Sequence, residues 1–382
     1  MKIVADENIP LVEAFFVSAG EVTRRPGRQL SAADVAEADA LLVRSVTRVD
    51  AELVGTDSPL SFVGTCTIGI DHLDTDLFHE RDIGWASAPG CNAMSVVEYV
   101  YAALCQLDVN WQGKRFGIIG CGNVGGALYR RLKAQGIDCY CYDPFLTAEQ
   151  NPDLHDLQTL LSCDIISMHT PLTTAGPHPS FHLIGASELA QLKPGAVLIN
   201  CGRGPVIDNQ ALLACLQTRS DLQVVLDVWE PEPVISRPLL EKVALGTPHI
   251  AGYSYDGKLK GTEMIYEAFC RHFDIEPQVS LASLVPPLED NLCYLRDGDL
   301  WEAVKALIAE IYPIAADDAA LRQLATTAGT DDQAFGAGFD ALRKHYPVRR
   351  EFHNYVVHLA AHQAAAADWL HALGFNTLAA LD

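Results

Sequence analysis

The feature that most constrains the fold is a glycine-rich turn between an apolar, strand-like run at 115–119 and a helix-forming stretch at 127–132. The residues of the turn are Gly120, Cys121, Gly122, Asn123, Val124 and Gly125. In a G-x-G-x-x-G pattern the first glycine makes the tight turn, the second admits a pyrophosphate and the third lets the helix approach the strand. The pattern predicts a Rossmann-type domain in which these residues, Cys121 excepted, contact a dinucleotide.

A second strand-like run, at 138–142, ends just before Asp143. A carboxylate at this position accepts hydrogen bonds from the adenosine ribose hydroxyls and would repel a 2′-phosphate, so we expect NAD rather than NADP as the cofactor. One alternative is a turn that binds no cofactor, which the strand and helix context disfavours. Another is a site for S-adenosylmethionine, which the catalytic residues described below disfavour.

Short apolar runs alternate with helix-forming stretches through most of the chain, which predicts α/β architecture with doubly wound parallel sheets. We expect three domains in the 382 residues. They are a substrate-binding domain at 1–95 completed by about 256–287, an NAD-binding Rossmann domain at 96–255, and a small C-terminal α/β domain at 288–382. The last is expected to contain an amphipathic helix at 301–311, a strand at 354–359 and an alanine-rich helix at 360–373.

Charge and composition limit the partners of the chain. The formal net charge is -22, whereas nucleic acids are bound by basic surfaces, so we expect no nucleic acid partner. No apolar stretch is long enough to span a membrane and the N-terminus soon turns charged, so we expect a cytoplasmic protein with no membrane partner. The eleven cysteines are scattered, which predicts reduced thiols and no metal site.

Three polar segments follow strand-like runs, where doubly wound sheets present their functional loops. They contain Arg203 between two glycines, Glu232 in an acidic, proline-rich loop, and His249 after a proline. Arginine can bind a carboxylate through two parallel hydrogen bonds, and a histidine oriented by a glutamate can exchange a proton near neutral pH. Singly, the three could be an ion-pair partner, a solvated loop acid and a core histidine. Together they favour oxidation of a 2-hydroxy acid.

The order of these motifs resembles the D-isomer-specific 2-hydroxyacid dehydrogenases over residues 1 to about 275. The resemblance implies that Arg203, Glu232 and His249 are the catalytic residues. Glu230 competes for the role of the acid, and we choose Glu232 because the family's acid precedes the second proline of the loop, here Pro233. The resemblance also implies cofactor contacts from Thr170, Cys201, Gly202, Arg203, Asp227 and Gly252.

Four shorter stretches, at 4–10, 43–47, 88–93 and 248–253, resemble one branch of this family. That branch uses NAD to oxidise 4-phospho-D-erythronate to 2-oxo-3-hydroxy-4-phosphobutanoate in vitamin B6 synthesis, and its members carry a C-terminal dimerisation domain. The resemblance therefore implies a homodimer and a small, anionic, phosphorylated hydroxy acid as substrate. It also implies that Ser45, Thr67 and Tyr253 contact that substrate.

A substrate with a carboxylate at one end and a phosphate at the other needs more than one arginine. Arg44, at the end of a predicted strand, is the candidate for a second anion site from its charge alone, and a surface ion pair is its structural alternative. Two alternative functions stay open. One is oxidation of another D-2-hydroxy acid, such as phosphoglycerate, and the other is NAD sensing by a non-catalytic binding protein with the same fold.

Overall fold

A computed structural model of the chain describes residues 1–379. It contains two compact units, of which the first is Met1–Asn92 with Ser254–Leu288. The second is Ala93–Tyr253 with the described residues from Glu289 onward. Within residues 1–379, none of the helices combines the length and apolar character that a membrane crossing needs. All eleven cysteines lie in this range and are free thiols.

The first unit is a parallel sheet covered by helices, with elements numbered in chain order. Its strands are β1 (Lys2–Asp6), β2 (Glu21–Arg25), β3 (Ala40–Val43), β4 (Phe62–Thr65) and β5 (Gly84–Ala86). Their order is β2-β1-β3-β4-β5, and each neighbouring pair is parallel. Its helices are α1 (Val12–Phe16), α2 (Ala32–Val35), α3 (Ala51–Val54), α4 (Thr75–Glu80), α11 (Tyr255–His272) and α12 (Leu281–Leu284).

The second unit begins with helix α5 (Ala93–Gln106) and contains the glycine-rich turn. Its strands are β6 (Arg115–Ile119), β7 (Asp138–Tyr142), β8 (Ile165–Met168), β9 (Val197–Asn200), β10 (Gln223–Leu226) and β11 (Leu245–Gly246). The intervening helices are α6 (Asn123–Ala134), α7 (Leu157–Leu160), α8 (Ala186–Gln191), α9 (Asn209–Leu216) and α10 (Arg237–Lys242). The parallel sheet has the order β11-β10-β9-β8-β6-β7, so the strand order reverses between β6 and β8. Open α/β sheets bind ligands at such a reversal, beyond the carboxyl ends of the strands.

The C-terminal region, which we define as the described residues from Glu289 onward, adds helices and a small sheet to the second unit. Its helices are α13 (Leu300–Ile311), α14 (Ile314–Ala328), α15 (Asp332–Lys344) and α16 (Ala367–Leu373). Its parallel strands, in sheet order, are β12 (Leu292–Tyr294), β13 (Val356–Leu359) and β14 (Asn376–Ala379). Buried residues of α13 and α5 belong to one apolar cluster, so this region shares its core with the Rossmann sheet.

The fold class predicted from the sequence is confirmed: the chain has two Rossmann-like parallel sheets and a small C-terminal α/β region. The prediction of one continuous alanine-rich helix from Ala360 was wrong in its first half, because Ala361–Ala366 is a 3-10 helix. Gln363 explains the difference, since its amide donates to the carbonyl of Leu295, 3.1 Å away, and accepts from the N–H of Ala360. These bonds hold the turn in a local geometry that composition does not reveal.

Candidate active site

The glycine-rich turn has the geometry that each of its three glycines requires. Gly120 follows β6 with φ +84°, a conformation that favours glycine. A Cβ added to Gly125 would lie 1.9 Å from the carbonyl oxygen of Gly120, so the third glycine is needed for the close approach of α6. A Cβ added to Gly122 would point into open space. Gly122 precedes Asn123 and Val124, the first residues of α6, whose N-terminus favours negative charge. The turn therefore fits a pyrophosphate.

Asp143 lies just beyond β7 and is tied to the turn. Its Oδ2 accepts a hydrogen bond of 2.9 Å from the N–H of Cys121, and its Oδ1 accepts one of 3.1 Å from Phe145. Each carboxylate oxygen has a second lone pair, so the group can still accept a hydrogen bond from a ribose hydroxyl. The backbone contact with Cys121 was not anticipated from the sequence.

Thr170, Cys201 and Gly202 meet at the carboxyl ends of β8 and β9. Thr170 donates to the carbonyl of Ile119, 3.3 Å away, and Cys201 donates its N–H to the carbonyl of Met168, 3.1 Å away. A Cβ on Gly202 would lie 2.7 Å from the carbonyl oxygen of Thr170. Three of the expected cofactor residues thus lie beside the glycine-rich turn.

His249 and Glu232 form a hydrogen-bonded pair. The Nδ1 of His249 lies 2.8 Å from Oε2 of Glu232, and Oε1 of Glu232 accepts a 2.9 Å hydrogen bond from the N–H of Trp229. Burial alone would raise the pKa of Glu232, but the charge and hydrogen bond of His249, the Trp229 N–H and the charge of Arg343 outweigh it and lower the pKa below the ordinary value. An ionised Glu232 accepts the Nδ1 proton, which leaves Nε2 of His249 as the nitrogen that can exchange a proton with a substrate.

Asp227 fixes the turn that carries His249. Its Oδ1 accepts from the hydroxyl of Thr247 and the N–H of Ile250, both at 2.7 Å, and its Oδ2 accepts from the N–H of Ala251 at 3.0 Å. Burial raises the pKa of Asp227, although the charge of His249 and these hydrogen bonds oppose the rise. The buried Asp227 carboxylate therefore holds the turn in place. Gly252 and Tyr253 follow the turn directly in the chain.

The other glutamate of the acidic loop, which we define as residues 229–233, has a different partner. Glu230 accepts a hydrogen bond from Nε2 of His182 at 2.9 Å and a longer one from the N–H of Asn209 at 3.4 Å. The structure therefore pairs each glutamate with one histidine, and Glu232 is the one at His249. No sequence pattern marks His182, because its partner lies far along the chain.

His182, Asp208 and Glu230 also offer ligand atoms that all lie within 4.8 Å of one another, a spacing that could hold a metal ion. Metal binding was not expected from the sequence. The direct 2.9 Å contact between His182 and Glu230 satisfies both groups without an ion.

Arg203 is held in a short segment between β9 and a 3-10 helix at Gly204–Val206. The Nδ2 of Asn200 donates to the carbonyl of Arg203 at 3.0 Å, and its Oδ1 accepts from Gly202 at the same distance. A Cβ on Gly204 would lie 1.8 Å from the carbonyl oxygen of Trp229. The glycine after Arg203 therefore allows its segment to contact the acidic loop.

In the first unit, Arg44, Ser45 and Thr67 follow the ends of adjacent strands. Arg44 and Ser45 come after β3, and Thr67 comes two residues after β4, whose last residue, Thr65, pairs with Val43. The hydroxyls of Thr65 and Thr67 are 2.7 Å apart, and Thr67 donates to the carbonyl of Gly69 at 3.0 Å. The three expected substrate residues of this unit thus lie beyond the carboxyl end of the sheet.

Lys258, which no sequence pattern indicates, lies at the same end of the sheet as Arg44. Helix α11 packs on β4, since a Cβ on Gly261 would lie 2.9 Å from the carbonyl oxygen of Cys66. Lys258 lies one turn earlier on α11, on the same face of the helix. Burial, followed by the positive charge of Arg44, lowers the pKa of Lys258 to about 8. Lysines near the start of a helix are usually exposed to solvent, so the sequence offers no reason to place Lys258 in a site.

Comparison with known proteins supports the assignment of the fold and of NAD as the cofactor. Residues 102–251 match the model of the D-isomer specific 2-hydroxyacid dehydrogenase NAD binding domain, and residues 285–374 match a domain of unknown function. An erythronate-4-phosphate dehydrogenase of Cellvibrio japonicus is 64% identical, covering 98% of this chain and 100% of its own. One from Teredinibacter turnerae is 52% identical, covering 93% and 94%.

Solved structures of lower identity show the same fold. The NAD-bound 3-phosphoglycerate dehydrogenase of Entamoeba histolytica matches with a TM-score of 0.62 and 23% identity over 73% of this chain and 98% of its own. The D-lactate dehydrogenase of Aquifex aeolicus, solved with NAD and lactic acid, matches with a TM-score of 0.60 and 21% identity over 71% and 95%.

Proposed function

Because this chain belongs to the erythronate-4-phosphate dehydrogenases, within the D-isomer-specific 2-hydroxyacid dehydrogenase family, we propose that it oxidises 4-phospho-D-erythronate to 2-oxo-3-hydroxy-4-phosphobutanoate in vitamin B6 synthesis. The observation that carries the proposal is the 2.8 Å contact between His249 and Glu232, in the unit that also holds the glycine-rich turn. NAD is the cofactor of this NAD-binding fold.

In the proposed reaction the C2 hydroxyl becomes a carbonyl. The Nε2 of His249 takes the hydroxyl proton, and Glu232 stabilises the imidazolium that results. Arg203 binds the substrate carboxylate and polarises the C2 oxygen. When bound, NAD supplies the acceptor for the hydride that leaves C2. His249 thus takes the proton, the hydride would pass to NAD, and Arg203 and Glu232 hold the substrate and the imidazole in place.

The phosphate of the substrate is assigned to the first unit. Arg44 and Lys258 place two positive charges at the carboxyl end of its sheet, and the burial of Lys258 makes a neighbouring anion favourable. Ser45 and Thr67 offer hydroxyl donors at the same end. We assign Tyr253 of the second unit as a further substrate contact. A chain with a net charge of -22 repels an anionic substrate over most of its surface. The two cations of this assignment provide a local site that attracts the phosphate.

The substrate assignment is tested by following NADH formation with 4-phospho-D-erythronate, 3-phosphoglycerate and D-lactate. A 2-oxo acid is added to a parallel sample so that cofactor that stays bound can be reoxidised. We expect the highest kcat/KM for phosphoerythronate. A preference for another acid would contradict the substrate, and NAD binding without turnover of any acid would contradict the enzymatic role.

We also propose that the protein is a homodimer formed through the sheet of the C-terminal region. Alternate residues of a strand share a face, so Leu292, Tyr294 and Leu378 lie on one side of this sheet, and all three are exposed. Light scattering should give twice the 41.5 kDa mass of one chain. Tyr294→Asp should yield monomers, whereas Val348→Asp, at another exposed apolar residue, should not. Dimers that survive Tyr294→Asp at the same concentration would contradict this interface.

A cytoplasmic location is part of the proposal. It is supported by the eleven free thiols, which suit a reducing compartment. Cell fractionation tests it, and recovery of the protein in an extracytoplasmic fraction would contradict it.

A further inference from the structure

Helix α15 of the C-terminal region packs on the segment that contains the acidic loop. A Cβ on Gly336 would lie 3.4 Å from side-chain atoms of both Pro233 and Val234. The guanidinium of Arg237 lies 4.8 Å from the centroid of the Phe335 ring. Helix α15 therefore covers the segment that carries Glu232.

Arg343, near the end of α15, reaches the residue after the His249 turn. Its guanidinium carbon lies 5.7 Å from the ring centroid of Tyr253, within cation–π range. The Tyr346 ring meets the same tyrosine edge to face, with 5.9 Å between centroids. The Arg343 side chain is only 14% exposed, and its Nε–H has no acceptor among residues 1–379. Tyr253 is thus held by two side chains of the C-terminal region.

The charge of Arg343 also acts on the catalytic pair. The charges that lower the pKa of Glu232 include those of His249 and Arg343, and the neighbours that raise the pKa of Arg343 include the Tyr253 side chain and the carboxylates of Glu232 and Asp340. Burial opposes the charge of Arg343, but these three neighbours outweigh burial and hold its pKa above the ordinary value. A cation fixed in this place favours the ionised form of Glu232.

We propose that Arg343 is a positioning residue of the active site, which holds the Tyr253 ring in place and keeps a cation beside the Glu232 carboxylate. It acts through these two residues and needs no direct contact with substrate. The inference rests on the proposed function, since Tyr253 is there a substrate contact and Glu232 the partner of the proton acceptor. It gives the C-terminal region a role in turnover that is separate from dimer formation.

The test compares Arg343→Met, Arg343→Lys and the control Arg237→Met. Arg237 joins the same helix to the same segment, through Phe335 and a 2.9 Å contact with Asp332, whereas the charges that most lower the pKa of Glu232 are those of His249 and Arg343. All three variants are assayed for KM, kcat and the pH profile of kcat/KM, together with their thermal midpoints.

For Arg343→Met we expect the acid-side limb of kcat/KM to move to higher pH. The limb reports protonation of the His249–Glu232 pair, and removal of a nearby cation favours the protonated form of that pair, so the limb moves to higher pH. KM for substrate should also rise, because Tyr253 loses its support. Arg343→Lys keeps the charge and should restore the pH limb while KM stays raised, and Arg237→Met should keep the wild-type limb.

A wild-type limb and KM in Arg343→Met, or an equal shift in Arg237→Met, would overturn the proposal. If Arg343→Met does not fold, a shifted acid-side limb in Arg343→Lys would overturn the proposal instead. If the wild-type protein oxidises no hydroxy acid, the proposed function fails. The inference is then read from the carboxyl carbon resonance of Glu232, whose titration midpoint should still rise in Arg343→Met.

Discussion

At the residue scale, the acidic loop shows what a motif can and cannot predict. The sequence offered Glu230 and Glu232 as alternatives, and resemblance favoured Glu232. In the structure Glu232 contacts His249 and Glu230 contacts His182. The proposed trio could be located from the sequence because each member follows a strand end in a doubly wound sheet. His182, Lys258 and Arg343 could not, since each acts through a tertiary contact between segments far apart in the chain.

Lys258 gives a prediction at this scale. Lys258→Met should lower kcat/KM for 4-phospho-D-erythronate by about 10- to 100-fold, the loss expected for one charge-assisted hydrogen bond. D-erythronate, which lacks the phosphate, should be little affected. The exposed Lys260, paired with Glu263 on the same helix, is the matched control, and Lys260→Met should behave as wild type. An equal loss for both substrates would contradict a phosphate contact.

The lowered pKa of Lys258, about 8, adds a pH dependence. A lysine is charged below its pKa, so the KM for the phosphorylated substrate should rise as the pH passes from 7 to 9 in the protein with Lys258. In Lys258→Arg the guanidinium stays charged from pH 7 to 9, so the part of the rise in KM that comes from residue 258 should disappear.

At the element scale, burial decided which strands the sequence revealed. β3 is buried along its whole length and reads as an unbroken apolar run. β2 lies at the sheet edge, is largely exposed and has the polar sequence EVTRR, so no pattern indicated it. A similar limit applies to the turns between elements. The sequence shows where each glycine lies, but it does not show which segment of the chain that glycine approaches.

Gly204 tests such an approach between elements. Gly204→Ala would place a Cβ 1.8 Å from the carbonyl oxygen of Trp229 and force the Arg203 segment away from the acidic loop. We expect a loss of about 1–3 kcal/mol in the free energy of unfolding, together with a lower kcat. Gly185→Ala is the control, because its nearest new contact, with Glu188, is an ordinary 3.4 Å. Urea denaturation measures both, and equal stability of the two variants would contradict the close approach.

At the scale of the whole molecule, the C-terminal region is an integral part of the second unit. Its apolar residues share a cluster with α5, and Arg349 forms a buried 2.6 Å ion pair with Glu98 of that helix. The sequence indicated an α/β accessory region with an amphipathic helix. It could not show where that helix packs, because an amphipathic pattern fixes a buried face but not the partner of that face.

The buried ion pair gives the prediction at this scale. Arg349→Met leaves Glu98 buried without its cation and should cost about 3–5 kcal/mol of unfolding free energy. Glu98→Gln in the same background should recover part of the loss, because a neutral amide does not require that cation. No recovery in the double variant would indicate that lost packing, not charge, causes the destabilisation.

The same variant should show a characteristic dependence on pH. Burial raises the pKa of Glu98 to about 8, even though the charge of Arg349 opposes that rise. With the cation removed, folded Glu98 retains its proton at a pH where the unfolded chain loses it. As the pH rises above the ordinary carboxyl pKa of 4.5, the stability of both proteins should fall. That of wild type should level off near pH 8, whereas that of Arg349→Met should continue to fall at higher pH, as measured by urea denaturation over this range.

The measurement that tests the central claim most directly is kcat with saturating NAD and 4-phospho-D-erythronate for Glu232→Gln and Glu230→Gln. The two residues share one loop, and each contacts one histidine, so the two variants separate the proposed catalytic contact from the other one. We expect Glu232→Gln to lower kcat at least about 100-fold, the scale of acid–base catalysis. Glu230→Gln should stay within about tenfold of wild type. The reverse order, or equal losses in both variants, would contradict the assignment of Glu232 as the partner of the catalytic His249.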